Sequence, residues 1–312
     1  MAPRPTFELK IGKLNVRLGE RTLILGALNV TPDSFSDGGL YLDPARAVKH
    51  GLDLVRQGAD WIDVGGESTR PGSRPISAQE ELERVLPVIQ GLRRKLRTTP
   101  ISIDTTKAEV AEKAAQAGAS ILNDISGLRF DPQMADVARR YKTALILMHL
   151  RGRPETMQTR PFAEDIMQSL IRGLAVSLQR ALAAGLRRSQ LILDPGLGFG
   201  KSRFQNFEIL AHLGKLRRFG LPILVGSSRK SFVQAVAAGA GLHAAAIRGS
   251  RSKAAYWPMM GNLKGQQTPA LQLGDAAAVV ASILAGAHIV RVHDVAGVLP
   301  AVRIADAVLA AS

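Results

Sequence analysis

A barrel of eight parallel strands, a (β/α)8 TIM barrel, is the fold this sequence predicts, and three observations carry the prediction. Eight short β-branched or aliphatic runs alternate with longer amphipathic segments. Eight is the strand number at which such a sheet closes on itself. Polar and ionisable residues also gather where the strands stop: Asn29, Asp63, Asp104, Asn123, His149, Asp194, Lys230, Arg291 and His293. In a closed parallel barrel these ends share one mouth, the face on which barrel enzymes do chemistry. A doubly wound open sheet has the same alternation, and local pattern does not separate the two. The 312 residues suit one domain spanning 1–312.

The elements follow in order. Residues 1–21 alternate like a small hairpin, placed to close the bottom of a barrel. "TLILGAL" is the first barrel strand, and the polar loop of residues 26–39, "GALNVTPDSFSDGG", leads into a helix, "DPARAVKHGLDLVRQGAD". That loop holds Asn29, Thr31, Asp33, Ser34, Ser36 and Asp37 around the single aromatic Phe35, more hydrogen-bonding groups than a connector requires. "WIDVGG" is the second strand, followed by another polar loop, "GGESTRPGSRP", and the helix "SAQEELERVLPVIQGLRRKL". Two such loops at one mouth would make a pair of lids. "ISIDT", the helix "KAEVAEKAAQAGA", "ILNDIS", "ALILMH" and "LILDPG" carry the alternation to the sixth strand. Glycine closes "RQGAD", "QAGAS" and "AAGLRR", as at helix C-termini. "PILVGSS" and "HIVRVHD" are strands seven and eight, and Asp294 reads as the cap of a last helix. Between them, about residues 238–273, a Gly-, Ala- and base-rich stretch reads as a long loop or insertion.

Composition narrows the function. The chain has no cysteine, which excludes disulfides, thiolate metal sites and cysteine nucleophiles. It has neither an uninterrupted apolar span of about 18 residues nor a secretory h-region at the start, so a cytoplasmic protein without membrane attachment is expected. The formal charge is +15, and no acidic residue stands between Glu208 and Asp275. Such an excess suits an anionic small molecule or nucleic acid. With 4% aromatic residues the chain lacks the stacking platforms of a nucleic-acid binder, so no specific nucleic-acid partner is expected.

Individual positions carry the chemistry. Asp104 shares a face with Ser102, and Thr105 or Thr106 can cap the next helix without it, so its carboxylate reads as ligand-facing. Asn123 and Asp124 point to opposite faces, one structural and one functional. Asp194 begins an Asp-Pro-Gly turn, and "GLGFGK" after it is a glycine-rich loop without phosphate-loop spacing. "GSSRKS", with Ser227, Ser228, Arg229, Lys230 and Ser231, is the clearest anion candidate, because loops after strands seven and eight of such barrels hold phosphate. Arg291 and His293 share one strand face.

Taken in order, "GALNVTPDSFSDGG", "IDVGGESTRPGS", "ISIDTTK", "ILNDISG", "LMHLRGRPETMQ", "LILDPGLGFGK", "GSSRKS" and "HIVRVHDV" resemble the motifs of the dihydropteroate synthase family, from about Leu23 to the C-terminus. The resemblance implies a pterin-binding TIM barrel that joins 6-hydroxymethyl-7,8-dihydropterin pyrophosphate to p-aminobenzoate, with Mg2+ assisting and sulfonamides competing for the p-aminobenzoate position. It implies that Asp104, Asn123, Asp194 and Lys230 hold the pterin and that Arg291 stacks on it. Asn29, Arg70, Arg291 and His293 would meet the pyrophosphate, with Asn29 near the metal. Phe35, Thr69, Pro71 and Ser228 would frame p-aminobenzoate, and Asp37 would face the methylene carbon. Lys230, Arg291, His293 and Asp37 would then be the catalytic set, in a homodimer. A folate-dependent methyltransferase has similar pterin motifs but no use for a pyrophosphate clamp of Arg70, Arg291 and His293. Two further readings compete with the synthase: an aldolase-like barrel with Lys230 as Schiff-base nucleophile, and a pterin binder without catalysis.

Overall fold

The computed structural model of the chain describes residues 4–31, 43–69, 72–159, 161, 163–237 and 268–312. An antiparallel hairpin, β1 (Phe7–Ile11) and β2 (Leu14–Leu18), precedes the barrel. The staves are β3 (Leu23–Asn29), β4 (Trp61–Gly65), β5 (Ile101–Asp104), β6 (Ile121–Asp124), β7 (Ala144–Met148), β8 (Leu191–Asp194), β9 (Leu224–Val225) and β10 (Ile289–Val292). Their order is β8-β7-β6-β5-β4-β3-β10-β9 and every named pairing is parallel. The last seam closes through a parallel bridge between Leu193 and Ile223, with Leu193 N donating to Pro222 O at 3.0 Å. The ring is therefore a barrel, and the doubly wound open sheet falls away.

Helices occupy the crossovers: α1 (Pro44–Arg56), α2 (Ala78–Lys95), α3 (Ala108–Gln116), α4 (Met134–Tyr141), α5 (Ile166–Ala183), α6 (Arg203–Ala211), α7 (Ser231–Ala237), α8 (Pro269–Leu284) and α9 (Val295–Ala310). Several start where an oxygen side chain satisfies a free amide: Asp43 accepts from Ala45 N, Ser77 from Glu80 N and Asp294 from Gly297 N. The expected closing glycines, Gly58, Gly118 and Gly185, all have positive φ. One boundary differs from the sequence reading. Thr268 caps and Pro269 opens α8, so residues 269–273 are helical and not part of a loop. The Thr-Pro start signal lies inside a stretch whose composition reads as loop. Residues 238–267 lie outside the described residues.

Strand alternation sorts the core into two shells. Residues such as Ile24, Ile62, Ile103, Leu122, Leu193 and Val290 point outward and pack under the helices. Leu23, Leu25, Trp61, Ile121, Ala144, Ile146, Ile192, Leu224 and Ile289 point inward and join Leu9, Ile11 and Leu18 of the hairpin. The hairpin thus plugs the barrel floor, as its alternation predicts. It is tied to the far end of the chain: Arg4 pairs with Asp306 at 3.1 Å, Thr22 N donates to Asp306 Oδ2 at 2.8 Å, and the His288 ring meets Pro5 O at 3.0 Å.

Candidate active site

Following the inward positions upward, five strands exchange an apolar residue for a polar one two or more positions on. Leu25 leads to Asn29, Trp61 to Asp63, Ile121 to Asn123, Ile192 to Asp194, and Ile289 to Arg291 and His293. Side chains of a strand repeat every second residue, so the polar set must converge above the apolar plug. It does. Thr69, Asp104, Asn123, Asp194, Ser228, Lys230, Arg291 and His293 line one cavity at the C-terminal mouth. Asn29 joins them through its amide Nδ2, 3.4 Å from His293 Nε2. Four expected site residues, Phe35, Asp37, Arg70 and Pro71, lie outside the described residues.

Arg291 is the hub. Its Nε donates to Asp63 Oδ2 at 2.6 Å and its Nη2 to Asp104 Oδ2 at 3.0 Å, which fixes the guanidinium across the barrel. Asn123 Nδ2 donates to the same Asp63 oxygen at 3.1 Å, while Asn123 Oδ1 has no partner among the described residues. Burial works against the charge on Arg291, but Asp63 and Asp104 outweigh it and hold its pKa above the ordinary value. Asp104 feels burial first and then the negative charge of Asp63, which together push it up to about 7. Burial pushes Asp194 up to about 6, although its Oδ1 accepts from Gly196 N at 2.7 Å. Lys230 comes down to about 8, by burial and then by the Arg291 charge; its ammonium lies 4.1 Å from the centre of the Phe199 ring. A cavity that brings two carboxyls, an amide and a lysine ammonium together suits a ligand that carries both donors and acceptors.

The two adjacent residues of β6 separate as alternation requires. Asn123 faces the cavity, whereas Asp124 accepts from Ser126 N at 2.8 Å and Leu128 N at 2.6 Å and shapes the following turn. Asp104 is not the cap of α3: Thr105 Oγ1 accepts from Lys107 N and Asp131 from Ala108 N. At the rim, a file of polar groups runs from Asn29 through His293 to Ser228 and Asp275. His293 Nδ1 is 3.4 Å from Ser228 Oγ, which donates to Asp275 Oδ2 at 3.1 Å. If Asn29 Nδ2 donates to Nε2, the imidazole proton sits on Nδ1.

Sequence does not single out three supporting residues. Asp63 is one of nine strand-end residues and has no role by pattern; it is the buried anchor of Arg291. Asp275 accepts from Arg229 N at 3.0 Å and from Ser228, so it holds the loop after β9. Its signal is its place as the first acid after the long basic stretch. Lys201 ends "GLGFGK" and is 2% exposed, donating to His149 O (2.9 Å), Gly196 O (2.7 Å) and Phe199 O (2.9 Å). Burial pulls its pKa well below the lysine value, yet three acceptors use the three N–H bonds of the ammonium form. The loop can wrap that close only because Gly196 and Gly200 have positive φ and no Cβ, which would strike His149 O and Arg151 O. His149 does not join the central cavity; its ring edge packs against Gly173 of α5.

Comparison with known proteins agrees with this geometry. A family model described as pterin binding enzyme matches residues 25–293. The chain is 41% identical to a dihydropteroate synthase of Synechocystis, over 96% of this chain and 94% of that protein. It is 39% identical to the Escherichia coli K12 dihydropteroate synthase over 92% of each. Among solved structures, Yersinia pestis dihydropteroate synthase with a sulfonamide drug superposes with a TM-score of 0.82 at 37% identity, covering 98% of this chain and all of that one. The Xanthomonas albilineans enzyme in complex with 7,8-dihydropteroate gives 0.77 at 34% identity, covering 98% and 99%. A barrel with its acids, amide and cations at one mouth, matched over nearly its whole length by such relatives, belongs to the dihydropteroate synthase family of pterin-binding enzymes.

Proposed function

We propose that this chain condenses 6-hydroxymethyl-7,8-dihydropterin pyrophosphate with p-aminobenzoate, a transferase reaction that yields 7,8-dihydropteroate and pyrophosphate for folate synthesis. The observation that carries the reading is the cross-barrel set of Asp63, Arg291 and Asp104 with Asn123, Asp194 and Lys230 around it. A pterin edge presents amino and ring N–H donors beside a carbonyl acceptor. Asp194, Asp104 and the unpartnered Oδ1 of Asn123 accept from the donors, Lys230 gives to the acceptor, and the pinned guanidinium of Arg291 offers a plane for the ring to stack on.

In the reaction, the bond from the methylene carbon to the pyrophosphate oxygen breaks and its electron pair leaves with pyrophosphate. The aniline nitrogen then supplies the pair for the new C–N bond and loses a proton to solvent or to the departing anion. Cations and donors set in advance stabilise the leaving charge; Arg291, Lys230, His293 and Asn29 supply them at the mouth, and Arg70 joins them in this proposal. Ser228 and Thr69 border the p-aminobenzoate position, completed by Phe35 and Pro71, and Asp37 faces the carbon that becomes positive.

Asn29 fits a magnesium ion as a single hard oxygen donor, since its Nδ2 is engaged with His293 and Mg2+ takes few protein ligands beside substrate phosphates. Among the described residues no group of three or more His, Asp or Glu could hold a metal alone. When bound, the ion would neutralise pyrophosphate charge. No described helix is long and apolar enough to cross a membrane, and we place the enzyme in the cytoplasm. We also propose a homodimer, supported by exposed Leu273 on α8 and exposed Ile304 and Val308 on α9.

The test is pyrophosphate release from the pterin pyrophosphate with Mg2+, with and without p-aminobenzoate. Release that requires p-aminobenzoate and is matched by dihydropteroate is the expected result. Tight pterin binding without release would overturn the condensation and leave a pterin binder.

A further inference from the structure

Beside the central cavity lies a second one of about 560 Å³, between the turn after β6, the segment after β7 and helix α5. Met148 lines both and stands as the wall between them. A space this large is several times a bare phosphate and falls in the range of small-molecule sites.

Its walls have a definite chemistry. Arg129 and Arg151 enter from opposite segments, and each gives only some of its five N–H donors to backbone carbonyls. Arg129 Nε donates to Ser126 O at 3.0 Å, and Arg151 Nη1 donates to Pro161 O at 2.7 Å and Gly200 O at 3.1 Å. Asp124, whose field reaches Arg129, is committed to two backbone amides. Burial lowers both pKa values, and for Arg129 the nearby cations Arg180 and Arg153 add to it against the field of Asp124. His149 also lines the cavity at 6% exposure, and its Nδ1 has no hydrogen-bond partner among the described residues. A buried polar atom without a partner is costly, so it points to a ligand or water. Hydroxyls of Ser126, Ser169 and Ser177 stand around it, and Met148, Leu150 and Met157 form an apolar side.

We propose that this cavity is a second ligand site for an organic anion. Its phosphate or carboxylate group is held by Arg129 and Arg151, and its apolar body lies against Met148, Leu150 and Met157. The site is separate from the pterin cavity and stands whether or not the condensation above is the reaction. The class is set by charge and volume together: two cations call for an anion, and the remaining space and methionine wall call for a carbon body.

Calorimetric titration of phenyl phosphate and, separately, phenylacetate into the full chain saturated with pteroate tests the site and distinguishes the two head groups. Saturable one-site binding of either compound is expected. Arg129→Gln, which removes a cation, and Ser169→Glu, which places a like charge in the cavity, should each weaken it by about tenfold or more. Pteroate affinity should stay within about twofold, because neither residue lines the central cavity. No saturable binding of either compound, or binding unchanged in both variants, would overturn the proposal.

Discussion

The two ends of this barrel are built from the same strands and obey opposite rules. At the floor, inward residues are Trp61, Ile121, Ile192 and Ile289, sealed by Leu9, Ile11 and Leu18 of the hairpin. A few residues higher the same strands carry Asp63, Asn123, Asp194 and Arg291, several of them buried and with carboxyl and amide oxygens left without partners among the described residues. Floor residues each lower the free energy of the fold. Mouth residues raise it, and are kept because a ligand completes them. Stability and chemistry are thus stacked on one axis, and substitutions at the two levels should separate them.

The largest separation is expected at Lys230→Met. The variant removes a buried ammonium that forms no described ion pair and that burial already holds down to about 8. We expect kcat/KM for the pterin substrate to fall by about a thousandfold, roughly 4 kcal/mol of transition-state stabilisation, while Tm holds or rises. Steady-state kinetics beside a thermal melt will decide it. A large loss of Tm would place Lys230 with the floor residues instead.

Next comes the reverse experiment. Leu9→Ala should cost about 2–5 kcal/mol of stability by opening a cavity in the plug, and leave kcat/KM per folded molecule unchanged. Urea unfolding paired with activity at low temperature measures both. An activity loss greater than the loss of folded protein would show that floor and mouth are coupled.

The smallest effect sharpens the comparison by its pH dependence. The folded protein holds the Asp194 proton up to about 6, above the ordinary carboxylate value of 3.8. Its contribution to stability is therefore full below pH 4 and is lost as pH rises through about 6. Asp194→Asn stays neutral throughout. It should match the parent near pH 4 and exceed it above pH 6 by on the order of 2 kcal/mol, while binding pteroate poorly. A constant Tm difference across that range would contradict the assignment.

Much of this is legible in the sequence because two periodicities are local. Alternation puts Asp104 with Ser102, and Arg291 with His293, on the inner face, and the count of eight strands gives the barrel. What is not legible depends on distance along the chain. Asp63 finds its role only when Arg291, 228 residues later, crosses the barrel to it. Asp275 looks like an ordinary helical acid until the loop after β9 folds onto it. Lys201 reads as the end of a weak phosphate motif, whereas its ammonium is turned inward onto three carbonyls. Composition misplaces the start of α8, since alanine and glycine around a Thr-Pro cap resemble a loop. His149 stops at the right strand end but faces α5, because it shares the outward parity of Leu145 and Leu147, whereas Met148 continues the inward set of Ala144 and Ile146.

The tie between the two ends of the chain has a further consequence. Arg4, Pro5 and Thr22 meet Ala287, His288 and Asp306, partners made almost three hundred residues later. During synthesis the hairpin emerges before the staves, so Leu9, Ile11 and Leu18 are fully covered only once β10 has brought Ile289 to the floor, and the polar tie waits for Asp306 of α9. Pairings at such separation are slow to form and leave apolar surface open meanwhile. Newly made copies therefore pass through a long interval in which a chaperone, or a neighbouring nascent chain, can take the place of the floor.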